Sequence, residues 1–184
     1  QVRKFKKRVG YFPNIAAPEK YHEMMFWRRI FDHNPLFVTF CDKLATKEYI
    51  KSIIPEAELP ETLWVGRDVG DIPESLQSVD AVLKASHGSS FNHFGGVGDR
   101  ESNDLKKKTE KWLRTNYGRS KHEWGYFQVS RVLFLERRLQ HPDGEKLVDV
   151  SVRCSNGKAI LASAALDNKT PSKRFGYFDI DGKR

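Results

Sequence analysis

Cysteine is nearly absent: Cys41 and Cys154 are the two in 184 residues. Neither belongs to a C-x-x-C pair or lies at zinc-ligand spacing from a histidine, so the sequence supports neither a disulfide framework nor a cysteine-based zinc site. The six histidines are scattered, with no i, i+4 pair on a recognisable helix, which removes the common helical motif of zinc hydrolases. Magnesium held through phosphate groups is untouched by that argument. No apolar run approaches the roughly 18 to 20 residues that cross a bilayer. The basic start, Gln1 to Arg8, leads into Tyr11-Phe12-Pro13-Asn14 without the apolar centre of a signal peptide. The expectation is therefore a soluble, cytoplasmic protein with no membrane span. Internal repeats, low-complexity tracts and long linkers are lacking too, which leaves a globular chain of one ordinary domain or two small, closely packed ones.

What is present in quantity is aromatic and basic. Hydrophobic residues make up 39%, with 12 Phe, 6 Tyr and 4 Trp, too much apolar surface for a chain that stays disordered. Lysine and arginine number 32 against 24 acidic residues, a net charge of +8. That balance points to an anionic partner: a nucleotide, an acidic glycan, nucleic acid or an acidic membrane surface. Two clusters carry much of it. One is Arg3, Lys4, Lys6, Lys7 and Arg8; the other is Lys106, Lys107, Lys108, Lys111, Arg114, Arg119 and Lys121. Solvated faces and a ragged terminus explain both clusters equally well.

The texture changes along the chain. A helix is expected from Pro18 to about His33, with Tyr21, Met24, Trp27 and Phe31 at spacings of three and four marking an apolar face. Asn34-Pro35 reads as a cap opening a short helix to about Cys41, and Asp42 as the cap of a longer one from Lys43 to Ile54. Short β-type runs follow at Thr62 to Val65 and Ala81 to Lys84. A helix is expected from Asn103, capped by Ser102, to Tyr117. Strands are then expected at 131–135, 147–154 and 158–166. The last two are joined by Asn156-Gly157, the strongest short hairpin signal because both residues accept the positive φ of a type I′ turn.

One segment suggests chemistry directly. In Val82-Leu83-Lys84-Ala85-Ser86-His87-Gly88-Ser89-Ser90 a lysine sits at the end of an apolar strand, just before a loop of small residues. A lysine on a rigid strand supplies a fixed positive charge, and small loop residues let backbone N–H groups approach phosphate oxygens. Two further segments matter through their order: Asp42-Lys43-Leu44-Ala45-Thr46-Lys47 upstream, and Glu136-Arg137-Arg138-Leu139 downstream. Taken singly each has an ordinary structural reading: Lys84 as a turn lysine, Lys43 as an exposed helix lysine, Glu136 as a strand-end salt bridge.

In this order the three segments resemble the ATP-grasp superfamily, and more narrowly its TupA-like (teichuronopeptide biosynthesis type) family, from about Lys20 onward. Asn34-Pro35-Leu36, Asp42-Lys43, Lys84 to Ser89, Asn116-Tyr117, Trp124, Glu136, Asn156-Gly157-Lys158 and Phe175 to Asp179 fall in that family's sequence. The resemblance implies an α+β, ATP-grasp-like fold. Residues 1–60 would form a helical front, 61–125 a small subdomain with the phosphate loop, and 126–184 the start of a second subdomain with a hairpin near its end. It implies that Lys43 and Lys84 reach the phosphates, that His87, Gly88, Ser89 and Ser90 form the phosphate loop, and that the Glu136 carbonyl and Leu139 N–H hold adenine. Arg137 would lie within that hinge, and Asp143 would accept hydrogen bonds from the ribose hydroxyls.

The implied cofactors are ATP and Mg2+, the metal ligands falling beyond residue 184, with Asp167 and Asp179 read as turn carboxylates. The implied activity is carboxylate–amine ligation through an acylphosphate in cell-envelope polysaccharide biosynthesis. The partners would be ATP, an acidic glycan or polymer acceptor and an amino acid. The chain departs from the family pattern where Ser90-Phe91 replaces loop glycine, with Gly95, Gly96 and Gly98 following, and where Arg137-Arg138 replaces an acidic and an aromatic residue. Two alternatives stand beside this: a basic polyanion- or nucleic-acid-binding module using Trp112, Trp124, Tyr126 and Phe127, and a non-catalytic ATP-grasp remnant.

Overall fold

The structure, a computed structural model, describes residues 1–99, 101–120, 122–168 and 170–183; Lys121 of the second basic cluster lies outside them. The chain divides into two units, Gln1–Arg138 and Leu139–Arg184. The described residues make an α+β chain with antiparallel sheets: helices and a four-stranded sheet in the first unit, three strands in the second.

The basic start is a helix, α1 (Val2–Val9), where the sequence suggested a ragged terminus. Val2, Phe5 and Val9 recur at three and four, enough to bury one ring: Phe5 lies 5.5 Å from the Tyr11 ring and 5.2 Å from that of Phe26. Phe26 belongs to α2 (Tyr21–Phe31). This helix begins three residues after Pro18 because Glu23 closes its first turn, accepting from the amides of Asn14 (2.9 Å), Lys20 (3.1 Å) and Glu19 (3.2 Å). The Asn14 and Lys20 amides hold the Glu23 carboxyl below its usual range against the opposing effect of burial. The face of α2 that is buried carries Glu23 and Phe26; the Tyr21, Met24, Trp27 and Phe31 stripe expected to be the packed face is exposed instead.

Two further helices follow as expected. α3 (Leu36–Cys41) starts where the Asn34 side chain accepts from the Leu36 amide at 2.9 Å. α4 (Lys43–Ile53) is capped by Asp42, which accepts from the Leu44 amide at 2.9 Å.

The first sheet contains β1 (Thr62–Gly66), β2 (Ala81–Ala85), β3 (Asn92–Phe94) and β4 (Leu133–Arg137), all antiparallel, in the order β1-β4-β2-β3. β4 runs two residues later than expected. Its preceding residues are held by Ser86, whose hydroxyl donates to the Ser130 carbonyl (2.7 Å) and accepts from the Val132 amide (3.2 Å). Directly paired residues share a face. One face therefore carries Ala81, Leu83, Ala85, Leu133 and Leu135, packed in the core with Val69, Ile72, Val97 and the Leu105 and Trp112 side chains of α5 (Asn103–Arg114). The opposite face carries Val82, Lys84, Phe134 and Glu136.

α5 ends three residues short of the expected Tyr117. Thr115 turns its amide and hydroxyl back onto the Lys111 carbonyl, at 3.1 and 2.6 Å, and so closes the helix. A short α6 (Gly125–Gln128) precedes β4. The second unit holds β5 (Asp149–Ser155), β6 (Lys158–Leu166) and β7 (Arg174–Phe178) in that spatial order. The expected hairpin turn is present, with φ of 49° at Asn156 and 74° at Gly157. No helix among the described residues is long and apolar enough to cross a membrane.

Candidate functional site

The polar face of the first sheet gathers charge. Alternation on β2 and β4 places Lys84 and Glu136 side by side on the face away from the core, and their side chains form an ion pair. A second lysine reaches the same carboxylate from α4: Lys47 Nζ lies 2.6 Å from Glu136 Oε2. The Lys47 ammonium also donates to the Pro60 carbonyl (2.7 Å) and the Thr62 hydroxyl (3.0 Å), which fixes its position over the sheet. Glu136 is 6% exposed, so a buried carboxylate holds two ammonium groups at once.

Lys43 sits one helical turn before Lys47 and reaches the same region from the start of α4. Its backbone N–H donates to the Ser86 carbonyl at 2.9 Å. Its ammonium donates to the carbonyls of Ala85 (2.9 Å), Ser86 (3.4 Å), His87 (3.3 Å) and Gly88 (2.8 Å). Burial pushes this ammonium down to about 8, and the neighbouring Lys84 charge pushes in the same direction, while Asp42 and Glu136 oppose them. Lys43 thus ties the loop together from inside, with four loop carbonyls converging on its Nζ.

The loop is anchored on its other side by His87, whose ring is 1% exposed. Its Nε2 lies 3.1 Å from the Trp112 carbonyl and 3.3 Å from that of Thr115, at the end of α5. A nitrogen facing carbonyls must carry the proton, which leaves Nδ1 as an acceptor; it is buried without a partner among the described residues. Burial lowers the His87 pKa, so the imidazole is neutral at neutral pH. Gly88 is required here: it has a φ of +74°, and a Cβ would come within 2.9 Å of ring carbons of both Phe91 and Tyr117. Ser89 and Ser90 form the exposed tip, Ser90 with a φ of 65°.

The structure therefore brings together Lys43, Lys84, Glu136 and the His87 to Ser90 loop, all within the first unit. Leu139 and Asp143 belong to the second. Arg137 lies at the end of β4 and pairs with Glu61 at 2.9 Å. Lys47 was not singled out in the sequence, although its spacing of four from Lys43 on one helix was the signal that could have found it. Trp112, one of the rings a nucleic-acid reading needs, is buried in the core and stacked on Phe91 at 5.8 Å.

Lys43 at the small-residue loop, and Lys47 and Lys84 on one carboxylate, are the kinds of group that a phosphate chain would need. The family model described as TupA-like ATP-grasp matches residues 23–184. The chain belongs to the TupA-like ATP-grasp family. No curated protein and no solved structure gives a significant match.

ATP-grasp proteins in general use ATP with magnesium, and the residues of this member fit the phosphate end of the nucleotide. Lys84 and Lys47, paired here with Glu136, are the side chains that would meet phosphate oxygens. Among the described residues no three of His, Cys, Asp or Glu are grouped to hold a metal ion by themselves, and magnesium at a nucleotide takes most of its oxygens from phosphate and water. The Glu136 carbonyl, which the resemblance assigned to adenine, lies in the sheet. Arg138 N–H donates to the Asp80 carbonyl (3.1 Å) and Ser86 N–H to that of Val132 (2.9 Å). The alternation of an antiparallel ladder then turns the Glu136 carbonyl to the Val82 amide.

Proposed function

We propose that this chain carries the nucleotide-binding part of an ATP-dependent carboxylate–amine ligase, with the triphosphate held by Lys84 and Lys47 over the loop that Lys43 organises. The observation that supports this most directly is the pair of ammonium groups sharing the buried carboxylate of Glu136. In the reaction, a carboxylate oxygen of the acceptor attacks the γ-phosphorus and ADP leaves. An amine then attacks the acyl carbon, forming the amide and releasing phosphate. Fixed positive charge at the transferring phosphoryl group is the contribution these lysines make, since such transfers depend chiefly on positioning and electrostatic stabilisation.

On this reading residues 61–125 belong to the small ATP-grasp subdomain and 126–184 to the second, with β4 returning to the sheet of the first. Leu139, Arg137 and Asp143 serve the adenosine, and His87, Gly88, Ser89 and Ser90 line the phosphates. The acceptor is an acidic glycan or polymer of cell-envelope, teichuronopeptide-like biosynthesis, and an amino acid supplies the amine. The net charge of +8 favours such an acceptor.

Thermal denaturation with and without magnesium-ATP tests the nucleotide reading. Ligand at about a hundred times its Kd adds roughly 2.7 kcal/mol, which for a chain of this size raises Tm by roughly 5–10 °C. Lys84→Ala removes most of that rise, judged against the variant's own baseline. An unchanged Tm for the parent chain at millimolar magnesium-ATP would refute the proposal.

A further inference from the structure

Three side chains anchor the loop of residues 85–90, and one of the anchors can be withdrawn by a proton. Lys43 gathers the loop carbonyls from α4, and the Ser86 hydroxyl ties the loop to Ser130 and Val132 ahead of β4. The hydroxyl does not titrate, and the Lys43 ammonium, which loses its proton at about 8, stays charged in acid. The third anchor is the His87 ring. The final carbonyls of a helix have no partner inside it, and at the end of α5 they are shared out between two side chains. Arg131 donates to those of Leu113 and Arg114, at 3.4 and 3.5 Å; His87 takes those of Trp112 and Thr115.

The imidazole is enclosed in its neutral form. It packs against Phe91 at 5.5 Å, and Phe91 in turn stacks on Trp112 and meets the Tyr117 ring at 5.7 Å. A second proton would go to Nδ1, which is buried and faces no acceptor among the described residues. Lys43 from α4 and Arg131 from the segment ahead of β4 both act on the ring as positive charges. The last turn of α5 adds Lys111 and Arg114, also positive, and Tyr117 stands beyond Phe91. The two α5 carbonyls favour an imidazolium, but burial outweighs them.

We propose that His87 is a positioning residue, a latch that fastens the phosphate loop to the end of α5 while its ring is neutral and releases it when Nδ1 takes a proton. Its ring, 1% exposed and committed to α5, is not itself a phosphate ligand. Once protonated, the ring gains by reaching water, where the cation is solvated. Leaving its pocket, it displaces the carbonyls of His87 and Gly88 that converge on Lys43 Nζ. Because the ring is held below its ordinary value, the stability it contributes is complete above about pH 6.5 and is lost progressively as pH falls further. Acid thus loosens the loop even though the lysines around it are fully charged there. The latch stands on the geometry of the loop, and only its effect on anion binding rests on the nucleotide reading.

Nuclear magnetic resonance of the full chain, isotope-labelled in its histidine rings and backbone, tests the latch between about pH 8 and about pH 5. The His87 ring, assigned by its absence from His87→Gln, is expected to carry its proton on Nε2 with Nδ1 bare at neutral pH. It should titrate below the ordinary histidine range, and the amides of residues 87–90 should move with the same midpoint. His87→Gln, whose side-chain amide can donate to the same carbonyls but takes no proton, holds those amides in place down to about pH 5. His87→Ala shifts them at every pH, its folded state being checked by Tm. Calorimetry with inorganic triphosphate reads the consequence. Affinity in the parent falls by up to about tenfold per pH unit below the ring's midpoint, and the glutamine variant lacks that step, which separates the latch from protonation of the triphosphate itself. A proton on Nδ1 at neutral pH, a midpoint at or above the ordinary range, loop amides that ignore the ring's titration, or the same acid transition in His87→Gln overturns the proposal. Triphosphate that binds neither chain at any pH, with the ring and loop still titrating together, supports the latch and overturns the nucleotide reading.

Discussion

Replacing Glu136 by glutamine separates the two roles its carboxylate plays. The side chain is 7% exposed and holds Lys47 and Lys84, which are 18% and 27% exposed. Breaking a fully buried pair costs about 3–5 kcal/mol. Here both lysines keep access to water and can be solvated, which brings the expected loss down to about 1–3 kcal/mol, a fall of roughly 3–10 °C in Tm. Stability and ligand binding should then move in opposite directions. In the parent chain a phosphate group must displace the carboxylate from both ammonium groups; in Glu136→Gln no anion competes. Inorganic triphosphate, which has no base or sugar, isolates this effect, and its affinity by calorimetry should rise about tenfold while Tm falls. If triphosphate binding weakens together with Tm, the carboxylate is a brace for the lysines and does not stand where phosphate goes.

Two smaller perturbations address the loop. The Lys43 ammonium loses its proton at about pH 8, and an anion bound nearby raises that value, so nucleotide binding should take up about half a proton at pH 8 and about a tenth at pH 7. Calorimetry in buffers of different ionisation enthalpy reads this, and proton release at pH 8 would contradict it. The same depression makes the free chain gain stability between about pH 8 and 10, because the unfolded lysine stays protonated to about 10.4; Lys43→Met should abolish that rise. Gly88→Ala places a Cβ 2.9 Å from two rings at a φ of +74°. The strain and overpacking together should cost about 2–4 kcal/mol in thermal or denaturant unfolding, and a cost under 0.5 kcal/mol would mean the loop is not held as described.

The parts of this fold that were legible in sequence are those fixed by local chemistry. Asp42, Ser102 and Asn34 announced their helices because a short polar side chain ahead of an apolar run has few other uses. Asn156-Gly157 announced its hairpin through the sign of φ. What escaped depended on partners far along the chain. Nothing local says that the apolar stripe of α2 faces outward while Phe26 packs, since that choice is made by Phe5 of another helix. Lys43 and Lys84 were picked out in sequence, but the direction of the Lys43 ammonium was not. It turns inward because four carbonyls of residues 85–88 converge there, a property of the loop and not of the helix that carries the lysine. Lys47 was hidden for a similar reason: its partner Glu136 lies 89 positions on in sequence, and only the pairing of β4 with β1 and β2 brings them together.

The position of Glu136 in the sheet also sets how adenine can be read. A purine edge needs one carbonyl and one amide in a row. On β4 the even-numbered residues turn their carbonyls and amides to β2, as the Arg138–Asp80 and Ser86–Val132 bonds require. The Glu136 carbonyl can therefore meet a base only if the rung to Val82 opens, whereas acceptors further along the hinge carry no such cost. Losing a buried backbone hydrogen bond costs about 1–3 kcal/mol when the donor is left without a partner, and Val82 is buried at 4% exposure, where water cannot easily replace it. Amide hydrogen exchange distinguishes the two routes. If ATP reaches the Glu136 carbonyl, protection of the Val82 amide falls when the nucleotide binds. If the base is read beyond the last rung, Val82 keeps or gains protection. The second outcome is the one the register predicts, and a clear loss of protection at Val82 alone would refute it.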